Sequence, residues 1–392
     1  MHEDLNELTR YLLGVAAVAA GAAAVLHRAD ARRGRLLPAG LVALSALYLG
    51  YLAVEMAAPL WERAARRDDA VRYYVITTRA LKDLPLYWPW PDYGPQIGTP
   101  GYPYPLDRYP YPPFFVAFLA PLAKLPLVSY ARAWYVVLYL AFFAYAACLA
   151  RLATGRATLP RTLAAAGVLA AVPGAQLALM VANVEPVLWA LFGAALAFPA
   201  LRGAGFAASA MVKLYGGWAL LLAAWHEGRP VVRSAALAVG AGFAAGFLVF
   251  GPVKFLGWFL DWVRYMVPVV GQGTFAFDPQ FGGTNVSLSF SGLRVVRALG
   301  WEYRPGPLPQ WARLYLTVMA LGAPLLTAWL ARRTEPVMRY ALVTVAAVLF
   351  APLCWATYLP LLLAPLAVVL HRYRTAASGE DPYGGAAPQQ TS

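Results

Sequence analysis

The sequence predicts an all-α, polytopic integral membrane protein, and three observations carry that reading. Its 392 residues are 60% hydrophobic and 13% charged, against about 25% charged in an ordinary soluble chain. Mean hydropathy is +0.55. The apolar residues gather into runs close to the roughly 20 residues that an α-helix needs to cross a bilayer.

Candidate spans follow one another at 11–27, 37–60, 131–150, 162–181, 186–201, 206–225, 234–251, 312–330, 338–352 and 355–371. A weaker candidate, 113–126, is interrupted by Pro121, Lys124 and Pro126. Several runs are short, so the expected number of membrane helices is about 9 to 12. Hydrophobic periodicity adds little, because a helix buried in a membrane bundle is apolar all round.

Orientation comes from the short loops, where Lys and Arg mark the cytoplasmic side. Arg28, Arg32, Arg33 and Arg35, then Arg151, Arg156 and Arg161, then Arg229 and Arg233, then Arg332, Arg333 and Arg339, and last Arg372 and Arg374 form that series. The N-terminus, with Glu3, Asp4 and Glu7 against Arg10, is then outside, and its acidic start weighs against a signal peptide. N-out with C-in demands an odd number of crossings. To keep Arg151 to Arg161 inside, 113–126 must not cross, and 206–225 must be a re-entrant pair or two half-helices. Broken helices at membrane depth are tolerated where protein buries them or where they line a cavity.

Two long segments, 61–112 and 252–311, then face outward as loops of one transmembrane domain over 1–374. Long loops without repeats are more often functional than not. The first contains "YWPWPDYGPQIGTPGYPYPLDRYPYPP", whose prolines and glycines exclude a long helix. Its Trp88 and Trp90 suit stacking on sugar faces or anchoring at the interface. Residues 375–392 read by composition as a disordered cytoplasmic tail.

Composition also excludes some functions. The net charge is +13, yet the lysines are only Lys82, Lys124, Lys213 and Lys254. The arginines are spread between apolar runs and form no basic stripe, which argues against nucleic-acid binding. Cys148 and Cys354 lie inside apolar runs, and His2, His27, His226 and His371 sit at the ends of runs. That pattern provides neither a metal cluster nor a disulfide framework. No metal or other cofactor is expected.

The segment "RRDDAVRYYVITTRALKDLPLY" follows Trp61 at the outer end of the second span. Asp69 and Tyr73 are four apart and share one face of a short surface helix, with Arg66 and Arg72 a turn away on either side. A carboxylate there can take a proton from a hydroxyl nucleophile, or it can be one member of a solvated, ion-paired face. Asp68 is the alternative base. Lys213 stands in an otherwise apolar segment, where a charge costs at least about 2.5 kcal/mol and usually faces a cavity or a partner. It is either a ligand for an anion or an ion pair with Glu185.

The run Asp69, Tyr73, Tyr74 and Tyr87, followed by "YPYPPFFVAFLAPLAKLP", resembles the start of glycosyltransferase family 87. Further stretches follow in the family's order. "NVEPVLWALFGAAL" is similar to its Gly-Gln-x-Asn stretch, read with Asn183 in the Asn position and without the Gly-Gln pair. "AMVKLYGGWALLL" resembles its Lys-x-x-Pro helix through Lys213, with Gly216 in place of the proline. "TNVSLSFSGLRVV" is similar to an Asn-x-Ser-Leu outer-loop motif through Asn285, Ser287 and Leu288. "APLCWATYLPLLL" resembles Ser-Pro-x-x-Trp-x-His, with Pro352 and Trp355 kept and Thr357 in the histidine position.

The resemblance spans about residues 37–372 and rests on the order of five motifs. It implies a GT-C type helix bundle in the cell membrane, taking a hexose, mannose by family precedent, from a polyprenyl phosphate carrier. The acceptor would be a hydroxyl of a lipid-linked or cell-envelope glycan on the extracytoplasmic side. Asp69 is then the expected catalytic base and Lys213 the donor-phosphate ligand. Asp68, Tyr73, Tyr87, Asn183, Asn285, Trp355 and Thr357 are candidates for substrate contact. Expected partners are the donor, the acceptor and membrane lipids. A lipid-carrier flippase or transporter built on Lys213, Glu185 and broken helices stays open as a rival, as does a membrane scaffold. The absence of a repeat and the two long outer loops favour the enzyme.

Overall fold

The computed structural model describes residues 36–52, 61–62, 64, 68–84, 86–87, 111–214, 216–271, 287–298, 310–351, 354 and 356–378. Among these residues there is no strand, and the elements are α-helices with short 3-10 pieces. They run α1 Leu36–Leu52, α2 Asp68–Leu81, α3 Pro113–Leu119, α4 Leu127–Thr154, α5 Leu159–Ala170, α6 Pro173–Met180, α7 Glu185–Ala197 and α8 Arg202–Lys213. Then come α9 Gly216–Glu227, α10 Arg229–Phe250, α11 Pro252–Gly271, α12 Leu288–Ala298, α13 Gln310–Leu330, α14 Pro336–Leu349 and α15 Leu363–Ser378. The candidate span at 11–27 lies outside the described residues.

Among the described residues, four segments are long and apolar enough to cross a membrane: Leu127–Thr154, Arg229–Phe250, Gln310–Arg333 and Ala356–Thr375. Their boundaries have local causes. Pro126 precedes α4, where a proline's missing N–H goes unneeded. Gly155 ends the same helix at φ +74, its N–H bonded to the carbonyl of Arg151, a left-handed closure that favours glycine. α10 and α13 turn apolar side chains such as Leu237, Leu248, Leu314 and Leu325 outward. In water such a surface would drive aggregation, and in a bilayer it is solvated by acyl chains.

Candidate span 162–181 is not straight: α5 and α6 meet at 84°. Pro173 and Gly174 stand at the bend. A Cβ on Gly174 would lie 1.9 Å from the carbonyl oxygen of Ala356, so only glycine lets the 3-10 segment Ala356–Leu362 pack against the start of α6.

Candidate span 206–225 is a hairpin. The N-terminus of α8 and the C-terminus of α9 are tied together, since Arg202 pairs with Glu227 at 2.5 Å. Both helices have 12 residues, about 18 Å each, so the chain goes in and returns on one side with Lys213 at the tip. Gly216, just past the turn, lets α9 close on α8: a Cβ there would stand 2.3 Å from the carbonyl oxygen of Phe206. The hairpin has the form of a re-entrant pair, one of the two arrangements that charge parity allows.

The weak candidate 113–126 does not cross, because α3 has only seven residues and a 3-10 turn follows. Among the described residues, three helices lie inside the segments read as outer loops. α2 occupies part of 61–112, while α11 and α12 lie in 252–311. α11 packs Phe255, Trp258 and Trp262 inward and leaves Val253, Leu256, Leu260 and Val263 outward. Lys254 ties its start to the end of α2 through the Ala80 carbonyl and the Asp83 carboxylate. α15 continues to Ser378, past the start of the tail inferred from composition; residues 379–392 lie outside the described residues.

Candidate active site

α2 has the sequence DDAVRYYVITTRAL, and its inward side chains, Asp69, Tyr73, Ile76, Thr77 and Ala80, recur at helical spacing. Asp69 is 8% exposed, so the helix does not present it on a solvated face, the bland alternative raised by its spacing. It sits in the first turn, where unpaired backbone N–H groups favour a carboxylate. Its own backbone N–H donates to the carbonyl of Val181 at 3.2 Å. Arg72, one turn on, comes within 3.5 Å of Oδ1.

The partner for Oδ2 comes from the connection between α6 and α7. Asn183 Nδ2 donates to it at 2.7 Å, while Asn183 Oδ1 accepts from the backbone N–H of Glu185 at 3.3 Å. The second bond assigns the amide's orientation: the oxygen faces the start of α7, leaving the nitrogen for Asp69. Trp134 holds the same connection by donating Nε1–H to the carbonyl of Ala182 at 2.9 Å. Ala182 has φ +57, a conformation glycine adopts without strain.

Glu185 opens α7 and is 1% exposed. One carboxylate oxygen pairs with Lys213, which stands at the hairpin tip. Lys213 also donates to the Tyr358 hydroxyl at 3.3 Å. Its ammonium lies 5.1 Å from the ring centroid of Tyr111 and 4.9 Å from that of Tyr358, within reach of cation–π attraction. Two of its three N–H donors thus have partners, and 12% of the side chain stays accessible. Among the described residues, Oε2 of Glu185 is buried and has no hydrogen-bond partner.

Tyr111 closes the circuit. Its hydroxyl is 3.0 Å from that of Tyr73, and its carbonyl accepts from the Tyr87 hydroxyl at 2.5 Å. Burial pushes both phenols well above the usual tyrosine value, and the Asp69 and Glu185 carboxylates push them the same way. Both stay neutral donors throughout the physiological range.

The structure therefore joins Asp69, Tyr73, Tyr87, Asn183, Glu185 and Lys213 in one polar cluster and adds Tyr111 and Tyr358. Sequence reasoning passes over these last two. Their signals are slight: Tyr111 stands between Pro110 and Pro112, Tyr358 two residues before Pro360, and tyrosine is abundant in this chain. Thr357 is buried on the 3-10 segment beside Tyr358, its hydroxyl unpartnered among the described residues. Ser287 donates to the Ala351 carbonyl and Ser289 to that of Phe350 at 2.8 Å, so the motif's serine and the next one along anchor α12. Asn285, Trp355, Trp88, Trp90, Arg66 and the Asp68 side chain lie outside the described residues. No group of His, Cys, Asp and Glu among the described residues is arranged to hold a metal.

Chemically, the cluster combines an oriented carboxylate, an accessible ammonium and neutral phenols. That set can accept a proton, neutralise an anion and orient hydroxyl groups. The family model for glycosyltransferase family 87 matches residues 109–357. No curated protein and no solved structure matches the chain. The matched region contains Tyr111, Asn183, Glu185, Lys213 and Thr357, while Asp69 and Tyr73 precede it and join it through the bonds above. With more than half of its length matched, the chain belongs to glycosyltransferase family 87 and is a membrane glycosyltransferase.

Proposed function

We propose that the protein moves a hexose, with mannose the first choice, from a polyprenyl phosphate carrier to a hydroxyl of a lipid-linked or cell-envelope glycan at the outer face of the cell membrane. The observation that carries this reading is the hydrogen-bonded link between Asp69 and the segment leading to Glu185, and so to Lys213. The tyrosine pair runs from Tyr73, one turn after Asp69 on α2, to the ring of Tyr111 beside the Lys213 ammonium.

In the proposed step the bond from the sugar C1 to the acceptor oxygen forms as the bond from C1 to the phosphate oxygen breaks. The acceptor proton passes to Asp69. The positive charge developing at C1 calls for a carboxylate near the incoming oxygen, as in other glycosyl transfers. Asn183 holds Oδ2, which leaves Asp69 a defined orientation toward the acceptor. The leaving polyprenyl phosphate is a stabilised anion and needs a cation more than it needs a general acid. Lys213 supplies that charge, so threonine at position 357 does not impair this step. Tyr73 and Tyr111 are neutral donors suited to sugar or acceptor hydroxyls. Asp68, Tyr87, Asn285, Trp355 and Thr357 remain proposed contacts around this centre.

Purified protein incubated with radiolabelled polyprenyl phosphate sugars and a membrane lipid extract tests the reading. Label should move from the carrier to a glycolipid or glycan. Transfer only from a nucleotide sugar would overturn the donor assignment.

A further inference from the structure

Lys213 cannot bind a phosphate without consequence for Glu185. The pair is almost wholly enclosed, with Glu185 1% and Lys213 12% exposed. The Glu185 carboxylate already has one oxygen without a partner among the described residues. Among the described residues, the groups facing it include Lys213 from α8, Asp69 and Tyr73 from α2, Tyr111, and Cys354 before the 3-10 segment. Tyr358 is linked to it through Lys213. Lys213 is the cation paired with Glu185, while Asp69, a second carboxylate close enough to repel it, has Arg72 as its own counter-ion.

An arriving phosphodiester adds a negative charge to this enclosure and takes up the attraction of the Lys213 ammonium. A buried carboxylate deprived of its counter-ion is strongly disfavoured, and its relief is to become neutral. We propose that Glu185 is a proton-accepting positioning residue: it holds Lys213 in the empty enzyme and takes one proton from solvent when the donor phosphate binds. This inference rests on the assignment of Lys213 as the donor-phosphate ligand. Only a proton moves, from buffer to a Glu185 oxygen, and no covalent bond to the sugar changes. Glu185 thereby keeps the site free of surplus negative charge in both states, which a fixed anion could not do.

Linkage fixes the sign. Donor binding that takes up a proton weakens as pH rises, by about tenfold per pH unit at most for one proton. The window lies between the pH at which Glu185 titrates in the empty enzyme and the higher pH at which it titrates in the complex. Calorimetric binding of a polyprenyl phosphate hexose to the full-length protein in nanodiscs, repeated in buffers of different ionisation enthalpy, measures the proton count directly. Wild type should take up close to one proton. Glu185→Gln, nearly isosteric and already neutral, should still bind the donor, take up none, and show affinity independent of pH. Donor binding by wild type without proton uptake would overturn the inference while leaving Lys213 as phosphate ligand. Unaltered proton uptake in Glu185→Gln would move the proton elsewhere and overturn it too. Failure of wild type to bind the donor would remove the donor assignment and this inference together.

Discussion

Asp69 is held so that one residue's difference in position should matter. Asp69→Asn keeps its shape and removes its basicity. Transfer should fall by about 100-fold or more, the usual share of a positioned base, with donor binding little changed. Asp68→Asn is the matched control, because neighbouring residues on a helix point about 100° apart. Full activity in Asp69→Asn with loss in Asp68→Asn would move the base by one residue. Lys213→Met retains an apolar stem and should abolish measurable donor binding, whereas unchanged affinity would make the lysine purely structural. The tyrosine pair gives a pH expectation. Because burial raises Tyr73 and Tyr111 above their usual range, both are neutral below about pH 10. Tyr73→Phe should therefore lower transfer without moving either limb of a pH–rate profile measured between pH 6 and 9. A displaced alkaline limb would mean that the phenol ionises in turnover. Asp69 and Lys213 are legible in the sequence because charges beside apolar runs are rare and demand an explanation. Tyr111 and Tyr358 are not, because their roles depend on which rings the fold places against one ammonium.

The helices divide in the same way. α4, α10 and α13 follow directly from hydropathy, and the α8–α9 hairpin is one of the two arrangements that charge parity allows. The bend between α5 and α6 does not, since "LAAVPGAQLAL" stays apolar through it and only the Pro173-Gly174 pair signals the break. α11 is similarly hidden: its aromatic inward face and aliphatic outward face read together as one long polar-interrupted loop. Two tests belong here. Gly174→Val places carbon against the Ala356 carbonyl and should destabilise by about 1 to 3 kcal/mol, as overpacking does. It should also displace Tyr358 and weaken donor binding, so a normal melting temperature in detergent would contradict the close approach. Glu227→Ala leaves Arg202, 6% exposed, without the counter-ion that closes the hairpin base, and the Tyr340 hydroxyl loses the oxygen it bonds at 2.8 Å. With the Glu227 side chain 27% exposed, the loss should be about 1 to 3 kcal/mol, the cost of leaving a buried polar group unpaired, and should appear as a lower thermal midpoint.

For the whole molecule, we propose from the arginine series a sidedness in which residue 98 is outside the cell. A single cysteine replacing Gly98 in an otherwise cysteine-free protein should react with an impermeant thiol reagent in intact cells. Labelling only after permeabilisation would put the proposed acceptor side on the wrong face. The hairpin sets a further limit, in depth. In the proposed topology, two helices of about 18 Å entering a hydrocarbon layer about 30 Å thick would stop about 12 Å short of the opposite face. Lys213 would then be tied to one leaflet's surface, whereas a phosphate arriving from the other leaflet would start at that leaflet's headgroups. The gap between them grows with acyl-chain length, and the hairpin, fixed at its base by Arg202 and Glu227, cannot lengthen to follow. Bilayer thickness becomes a variable of the reaction: in reconstituted vesicles of increasing chain length, turnover should decline once the membrane outgrows the hairpin's reach, even though every catalytic side chain is unchanged.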